Sequence, residues 1–484
     1  MTFPPVVAVD WGHLAPALAL LATAVVGLLL ALYQRDSRLT VGAVLVGLAT
    51  SFLFNLSVFL SDSAGGASFG LRWLADAPAL AFNFVVLLGT ALAVLVSYDQ
   101  LGRLDMDHPE YYPLMLLSAL GAMVMAAAGD LVTLLLGLEV LSLPVYVLSA
   151  WRPQARQSEE AGMKYFLLGA FGSAVLVYGA ALLYGAAGSF VYADVAAALA
   201  GGSLLSLATL GAAFVLVGLS FKAALVPFHQ WSPDVYTGAP TPVVTFMSVV
   251  VKAAAFAALL RVAATVAPEV SPWLQDALAV AVAATLVVGN LAALVQRGVK
   301  RMLAYSAVAH AGYLGLAVLA PDHGGVEAAV WYLTAYTLMN AGAFAVLSLV
   351  VDRNDQGDDV ERFAGLGQTR PGLALALTVF LLSLGGIPPL AGFAGKVMVF
   401  SAAVEAGYVW LALLGILTSV VALVYYFRVV AAMYFRRPEY PAPSFRSSAT
   451  DVAIAAALAG TVLLGLLPGW WHEAVRGAQA ALGF

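Results

Sequence analysis

The chain has 484 residues, of which 62% are hydrophobic and only 10% are charged, with a net charge of −5 and no cysteine. Soluble globular proteins carry about 25% charged residues, so this composition excludes a water-soluble chain and favours one that crosses a membrane many times. The lack of cysteine excludes disulfides, iron–sulfur clusters and thiolate metal sites built from this chain, and the small mixed charge argues against nucleic acid as a partner.

Fourteen apolar runs follow one another along the chain, and a transmembrane helix needs about 17–25 such residues. The runs show no alternation of the kind found in membrane β-barrels. The sequence therefore predicts an all-α polytopic membrane protein with about fourteen transmembrane helices. The first run has no basic segment before it, which favours a transmembrane helix over a cleaved signal peptide. The predicted spans lie near 13–33, 39–60, 78–97, 112–128, 131–150, 162–186, 204–226, 242–266, 273–295, 302–320, 325–351, 372–405, 408–430 and 450–471.

Lysine and arginine are unevenly distributed over the predicted loops. Loops after odd-numbered spans hold fourteen of the 22 basic residues, Lys300 among them, whereas the opposite loops hold only Arg72, Arg261 and Arg476. Basic loops stay on the cytoplasmic side. We therefore expect a prokaryotic plasma-membrane protein with both termini on the outer side. The most charged loop, 352–371, is expected to be a solvated cytoplasmic loop, with contact to a neighbouring protein as the alternative.

Ionisable residues lie deep inside five of the predicted spans. They are Glu139 in the fifth, Lys222 in the seventh, Lys252 in the eighth, His310 in the tenth and Lys396 in the twelfth. A charge at the bilayer centre costs roughly 2.5–3.5 kcal/mol on insertion scales. Two or three such groups would suit a structural ion pair, but five groups in five spans favour a functional chain.

The choice of lysine for the embedded cations indicates the chemistry. A desolvated ammonium holds its proton less tightly, and a nearby carboxylate restores that hold. Movement of a carboxylate such as Glu139 relative to Lys222 would therefore switch the lysine between keeping and releasing a proton. Arginine cannot act in this way because it stays protonated, and arginine dominates the loops instead. The division predicts proton transfer rather than a purely structural role.

Three further candidates have structural alternatives. Lys164 follows Glu160 by four residues, so a surface ion pair explains it as well as a relay does. His229 follows Lys222 by seven residues and is either a proton relay or a polar group that binds free carbonyls. His310 is either a relay or a hydrogen-bonded core histidine.

The seventh and twelfth spans contain helix-breaking residues. Residues 372–405 would measure about 51 Å as one helix, whereas the hydrocarbon core is about 30 Å thick, so this segment must break. Proline and glycine are tolerated at membrane depth where they line a cavity or pack inside protein. Interrupted spans at corresponding places in two halves are typical of transporters with repeated architecture.

The spacing of the embedded residues supports such a repeat. Lys222 and Lys396 are 174 residues apart, and Glu139 and His310 are 171 apart. Each repeat would have five spans, and an odd number inverts the second repeat in the membrane. The predicted organisation is spans one to three, two inverted five-helix repeats with broken helices 7 and 12, and a last span, at 1–110, 111–268, 269–436 and 437–484.

Five segments carry a family resemblance: GLEVLSLPVYVLSAW, EEAGMKYFLLGAFGSAVLVYGAALLYGAAGS, FKAALVPFHQWSPDVYTGAPTPVV, VKRMLAYSAVAHAGYLGLA and GGIPPLAGFAGK. They resemble the antiporter-like membrane subunits of respiratory complex I, and the subunit N branch is the most similar. The resemblance implies a proton-pumping unit of fourteen core helices within an NADH-quinone oxidoreductase. By motif, it places the family's functional residues on Glu139, Lys164, Lys222, Lys252 and Lys396. The position of Lys396 is a glutamate in the subunit M branch.

No redox cofactor or metal is expected in this chain. It has no dinucleotide-binding glycine fingerprint in a βαβ context, and its six histidines do not pair within one span. The resemblance therefore implies that other subunits of the translocating enzyme carry out the quinone chemistry, with the other membrane-arm subunits and the lipid bilayer as partners. Two alternatives stay open. One is a subunit of an Mrp-type sodium/proton antiporter, and the other is a structural membrane anchor.

Overall fold

The computed structural model describes residues 9–33, 36–61, 65–104, 106–152, 155–201, 204–266, 272–351, 355, 357–437, 447–467 and 469. Most of these residues are helical, and one short hairpin pairs β1 (Gly66–Ser68) with β2 (Trp73–Ala75). In chain order the helices are α1 (Trp11–Tyr33), α2 (Ser37–Phe59), α3 (Ala77–Arg103), α4 (Tyr111–Ala127), α5 (Leu131–Ser149), α6 (Arg156–Ala187), α7 (Tyr192–Ala200), α8 (Leu205–Ala223), α9 (Trp231–Gly238), α10 (Thr241–Phe246), α11 (Lys252–Thr265), α12 (Pro272–Leu294), α13 (Val299–Val318), α14 (Val326–Val350), α15 (Leu366–Thr369), α16 (Pro371–Gly385), α17 (Ala391–Glu405), α18 (Val409–Phe435) and α19 (Ser448–Leu466).

The predicted all-helical membrane fold is confirmed. A helix lies at each predicted span, although the last span was predicted to run beyond the described residues. Within the described ranges, eleven helical segments are long and apolar enough to cross a membrane, and α4 and α16 are shorter apolar helices. The number of fourteen spans therefore stays a prediction.

Both predicted helix breaks are present. Helix α8 ends at Ala223, directly after Lys222, and the chain turns through Ala224 with a φ of 60° before α9 begins. Helix α16 ends at Gly385, and α17 begins at Ala391. The cap residue Gly386 has a φ of 86°, a left-handed conformation that glycine adopts without steric cost.

Two helical segments form the centre of the bundle. Helices α10 and α11 run on through the π-helical turn Met247–Val251 as one buried segment, and α14 is buried in the same way. Small residues bring the surrounding helices close. A Cβ on Gly179 of α6 would lie 2.7 Å from the carbonyl oxygen of Gly211 in α8, so the two backbones touch. Peripheral helices such as α1 and α18 expose large apolar side chains, as expected of a surface that faces lipid.

Candidate functional site

Lys222 lies in the last turn of α8 with only 4% of its surface exposed. Its ammonium donates hydrogen bonds to the Ser142 hydroxyl at 2.7 Å and to the Tyr165 hydroxyl at 3.2 Å. The ammonium nitrogen is also 5.0 Å from the centroid of the Tyr165 ring. Neutral hydroxyls and an aromatic face therefore hold this buried amine.

Glu139 lies on α5, one helical turn before Ser142. It is half-buried, and neither Glu139 nor Lys222 forms an ion pair within the described part of the chain. Ser142 donates its own proton to the Leu138 carbonyl, which leaves its oxygen free to accept from Lys222. Glu139 thus lies one turn from the serine of α5 that contacts Lys222.

Lys252 is the first residue of α11, directly after the π-helical turn. Such turns occur frequently at functional sites. The side chain is 4% exposed, and its ammonium donates a 2.9 Å hydrogen bond to the carbonyl oxygen of Ala307 in α13. Ala307 lies one turn before His310, so the amine reaches the helix that carries the buried imidazole.

His310 is 1% exposed, and both ring nitrogens face tyrosine hydroxyls. Nδ1 lies 2.6 Å from the Tyr332 hydroxyl, and Nε2 lies 3.4 Å from the Tyr426 hydroxyl. The Tyr426 hydroxyl is 2.5 Å from the Ser306 hydroxyl. These groups form a continuous set of exchangeable protons around one imidazole.

Lys396 of α17 is directed at the second helix break and is 4% exposed. Its ammonium donates to the Gly385 carbonyl at 2.9 Å and to the Ser419 hydroxyl at 2.6 Å. It also lies 4.7 Å from the centroid of the Tyr313 ring. Gly385 ends α16, where free carbonyls and the negative end of the helix dipole favour a cation.

Lys164 lies apart from this buried set. Its side chain is 42% exposed and pairs with Glu160 at 2.7 Å and with Asp234 at 3.0 Å. Asp234 also pairs with Arg301 at 3.0 Å. The surface pair with Glu160, which the sequence allowed, is present. The next residue in α6, Tyr165, is the one that contacts Lys222.

His229 lies half-buried in the turn between α8 and α9. Its Nδ1 is buried and has no hydrogen-bond partner among the described residues. Trp231 satisfies a carbonyl freed by the break, since its ring nitrogen donates to the Phe221 oxygen at 2.8 Å. The turn thus places a half-buried imidazole directly after the first helix break.

The embedded groups fall into two sets. The first is Glu139, Ser142, Tyr165 and Lys222. The second is Lys252, His310 and Lys396, because Lys252 contacts Ala307 and Lys396 lies over Tyr313, each about one turn from His310 in α13. Among the described residues, no hydrogen bond directly connects Lys222 with Lys252.

Sequence reasoning missed the hydroxyls that hold the embedded groups. Ser306 and Tyr313 lie four residues before and three residues after His310, so their spacing alone places them on its helical face. Ser142, Tyr165, Tyr332, Tyr426 and Ser419 come from other helices. A serine one turn from Glu139 was the one available signal.

A buried ion pair at one end of the bundle was also missed. Lys300, which the sequence placed in a loop, is 3% exposed and pairs with Asp355 at 3.0 Å. Asp355 belongs to the segment expected to be a solvated loop, yet its side chain is only 7% exposed. It also accepts from the backbone N–H of Thr241 at 2.9 Å. The expectation was wrong for Asp355, because this carboxylate caps α10 and binds α13. Residues 352–354 and 356 lie outside the described residues.

Comparison with known proteins agrees with this architecture. The family model described as NADH:quinone oxidoreductase/Mrp antiporter, TM, matches residues 128–422. A protein named NADH-quinone oxidoreductase subunit N, from Trichlorobacter lovleyi, is 44% identical over 405 residues, which is 83% of each chain.

Two solved structures have the same fold. A chain of respiratory complex I from Thermus thermophilus with bound aureothin is 40% identical, covers 94% of this chain and 97% of its own length, and superposes with a TM-score of 0.80. A chain of the Mrp complex from Dietzia is 22% identical, covers 97% of this chain and 99% of its own length, and has a TM-score of 0.84, which is a likeness of fold alone. The protein studied here belongs to the NADH:quinone oxidoreductase/Mrp antiporter family of membrane proteins.

Proposed function

We propose that this chain is a proton-translocating subunit in the membrane arm of NADH-quinone oxidoreductase, beside the other membrane-arm subunits and within a bacterial plasma membrane. The observation that carries the proposal is the setting of its three embedded lysines. Lys222, Lys252 and Lys396 are each buried, and each donates to a neutral oxygen. None of them forms an ion pair within the described ranges.

This setting suits a proton carrier. A carboxylate at ion-pair distance would favour the charged ammonium, whereas hydroxyl and carbonyl oxygens hold a lysine with less electrostatic bias. Glu139 lies one turn from Ser142, which accepts the hydrogen bond from Lys222. In the proposed cycle, approach of the carboxylate stabilises the protonated lysine, and withdrawal lets the proton leave.

The second set provides the onward path. Lys252 reaches the backbone of α13 one turn from His310. The imidazole with its tyrosine hydroxyls can pass a proton by accepting at one nitrogen and donating from the other. We propose that Lys396 is the exchange point toward the outer side and that His229 connects the first set to water at the broken helix.

Lys164 has a positioning role in this proposal. Its ion pairs tie α6 to α9 at the surface, and Tyr165 follows it directly. The hydroxyl of Tyr165 is therefore held against Lys222 by the charge cluster outside the membrane core.

The topology and the repeats remain part of the proposal. The helix breaks after α8 and after α16 support two five-helix units, 111–268 and 269–436, with the second inverted. The loop arginines support a cytoplasmic position for the segments after odd-numbered spans, and hence termini on the outer side. We propose that the chain itself holds no redox centre and converts a signal from the quinone chemistry into proton movement.

Purification by a tag on this chain tests the proposal. The complex should oxidise NADH with a quinone, and after reconstitution into liposomes it should acidify or alkalinise the lumen in sodium-free buffer. A different outcome is a purified complex that fails to oxidise NADH and moves protons only when a sodium gradient is present. That result would assign the chain to an Mrp-type antiporter. Proton pumping that is unchanged when all three embedded lysines are replaced would leave only the structural anchor.

A further inference from the structure

A cavity of about 740 Å³ opens at the end of the bundle that carries Lys300 and Asp355, away from the embedded relay groups. Its lining comes from the end of α12, the segment around Val360 and the end of α18. Four arginines contribute to this lining: Arg297, Arg362, Arg428 and Arg436. Two acidic residues, Asp359 and Glu361, also line it, so the arginines exceed the carboxylates by two.

The cavity has an ordered floor. Residues Gly298 and Asp359 form an antiparallel bridge, and the Val360 N–H donates to the Arg297 carbonyl at 3.1 Å. Gly357 has a φ of 76°, and a Cβ there would lie 2.8 Å from the guanidinium carbon of Arg362. The backbone at this glycine therefore makes room for an arginine side chain against the cavity wall.

Two of its arginines, Arg297 and Arg428, form no ion pair with a carboxylate among the described residues. Arg436 pairs with Glu361. Arg428 donates to the carbonyls of Leu294 and Gln296, which are neutral, and its buried Nε has no partner in the described ranges. The cavity thus presents guanidinium groups that a doubly hydrogen-bonded anion would complement.

Two exposed aromatic residues of α18, Phe427 and Phe435, directly precede the cavity residues Arg428 and Arg436 in the sequence. The last turns of α18 expose Phe427 by 46% and Phe435 by 86%. A binding site for a free anion does not need such a surface, whereas a phospholipid presents a phosphate and an acyl chain together. Basic pockets between transmembrane helices bind anionic lipid headgroups.

We propose that this cavity binds the phosphodiester headgroup of an anionic phospholipid, with the guanidinium groups of Arg297 and Arg428 on the phosphate and an acyl chain along the exposed face of α18. The site is independent of the proton relay. Its occupant would hold the segment around Val360 against the ends of α12 and α18.

A photoreactive phosphatidylglycerol tests the proposal on the detergent-purified complex. The expected result is labelling within residues 357–362 or 428–437, displaced by unlabelled phosphatidylglycerol but not by phosphatidylcholine or by inorganic phosphate. Displacement by phosphatidylcholine at equal concentration would show an apolar groove only, and displacement by millimolar inorganic phosphate would show a free-anion site. Either result overturns the proposal, as does labelling confined to other segments.

Two variants with opposite expected effects on phosphatidylglycerol binding test whether the cavity is the binding site. Arg297→Gln should weaken phosphatidylglycerol binding about fivefold, which corresponds to roughly 1 kcal/mol per basic residue at an anionic membrane. Glu361→Gln removes a carboxylate and its pair with Arg436, so it should strengthen binding. Arg38→Gln, an exposed arginine outside the cavity, is the matched control and should change nothing. Equal binding by all three variants would refute the site.

Discussion

At the level of single residues, the proposed proton relay depends on the oxygen atoms that accept hydrogen bonds from the embedded lysines. The sequence was sufficient to single out Glu139, Lys222, Lys252 and Lys396, because a charged residue inside an apolar run is conspicuous. It was not sufficient to find their hydroxyl partners, since serine and tyrosine are common in membrane helices and each partner comes from a different helix. Ser142 is the most informative of these partners, because it stands between Glu139 and Lys222.

Replacement of Ser142 by alanine tests this residue. The change removes the shorter of the two hydrogen bonds to Lys222, and bonds to charged groups contribute about 1.5–3 kcal/mol. We expect proton translocation per NADH oxidised to fall about tenfold in reconstituted complex, with assembly retained.

Ser118→Ala is the control for that variant. Ser118 of α4 is equally buried and donates to the carbonyl of Leu141 in α5, the helix that carries Ser142. It contacts no embedded lysine among the described residues. Equal losses in the Ser118 and Ser142 variants would show that the effect is general packing rather than the contact to Lys222.

The positioning role of Lys164 can be tested separately. If the residue positions α9 through its ion pairs, arginine should replace it, because arginine keeps the charge and can pair with both carboxylates. We expect Lys164→Arg to retain at least about half of wild-type proton translocation and Lys164→Ala to retain less. Loss of translocation in the arginine variant, with normal assembly, would instead make Lys164 a member of the relay.

At the level of helices, each break places the carbonyl groups of a helix end near an embedded lysine. The sequence predicted both breaks, because proline and glycine cluster there and the twelfth span is too long for one helix. It did not predict that Lys396 returns to the carbonyl at the end of α16, since that contact depends on how α16 and α17 pack. Gly386 makes the return possible. A Cβ at this position would lie 2.8 Å from Cδ of Lys396.

Gly386→Ala tests the geometry of the break. The substitution strains a left-handed residue and pushes on the Lys396 side chain, so we expect translocation to fall at least about fivefold in assembled complex. Gly372→Ala in the first turn of α16 is the control, because its Cβ would meet nothing within 4 Å. Unaltered translocation in both variants would remove the helix break from the mechanism.

At the scale of the whole molecule, distant segments close one end of the bundle. Asp355 joins the start of α10 to the start of α13. Helix α10 continues through the π-helical turn to Lys252 in α11, and α13 carries His310. A charged segment between spans resembles a solvated loop, and nothing local in the sequence indicates that one carboxylate is buried 55 residues from its lysine. Long-range pairing of this kind explains why the fold class was predictable and this contact was not.

Breaking that pair should destabilise the protein. Removal of one partner of a buried ion pair costs about 3–5 kcal/mol, because the other charge stays buried and unpaired. We expect Asp355→Ala to lower the amount of assembled complex in membranes and its midpoint of thermal inactivation. Glu110→Ala, which removes an exposed carboxylate that makes no cap hydrogen bond, should leave both unchanged. A stable Asp355→Ala complex would contradict the structural role of the pair.

Replacement of Lys222 by arginine and by alanine, in assembled complex reconstituted into liposomes, tests the proton relay most directly. The measurement is proton translocation per NADH oxidised. Arginine keeps the positive charge but does not release its proton. The relay therefore predicts that both variants fall below about a tenth of wild-type translocation. Translocation near the wild-type level in the arginine variant, with loss only in the alanine variant, would show that Lys222 is a structural charge and would contradict the mechanism.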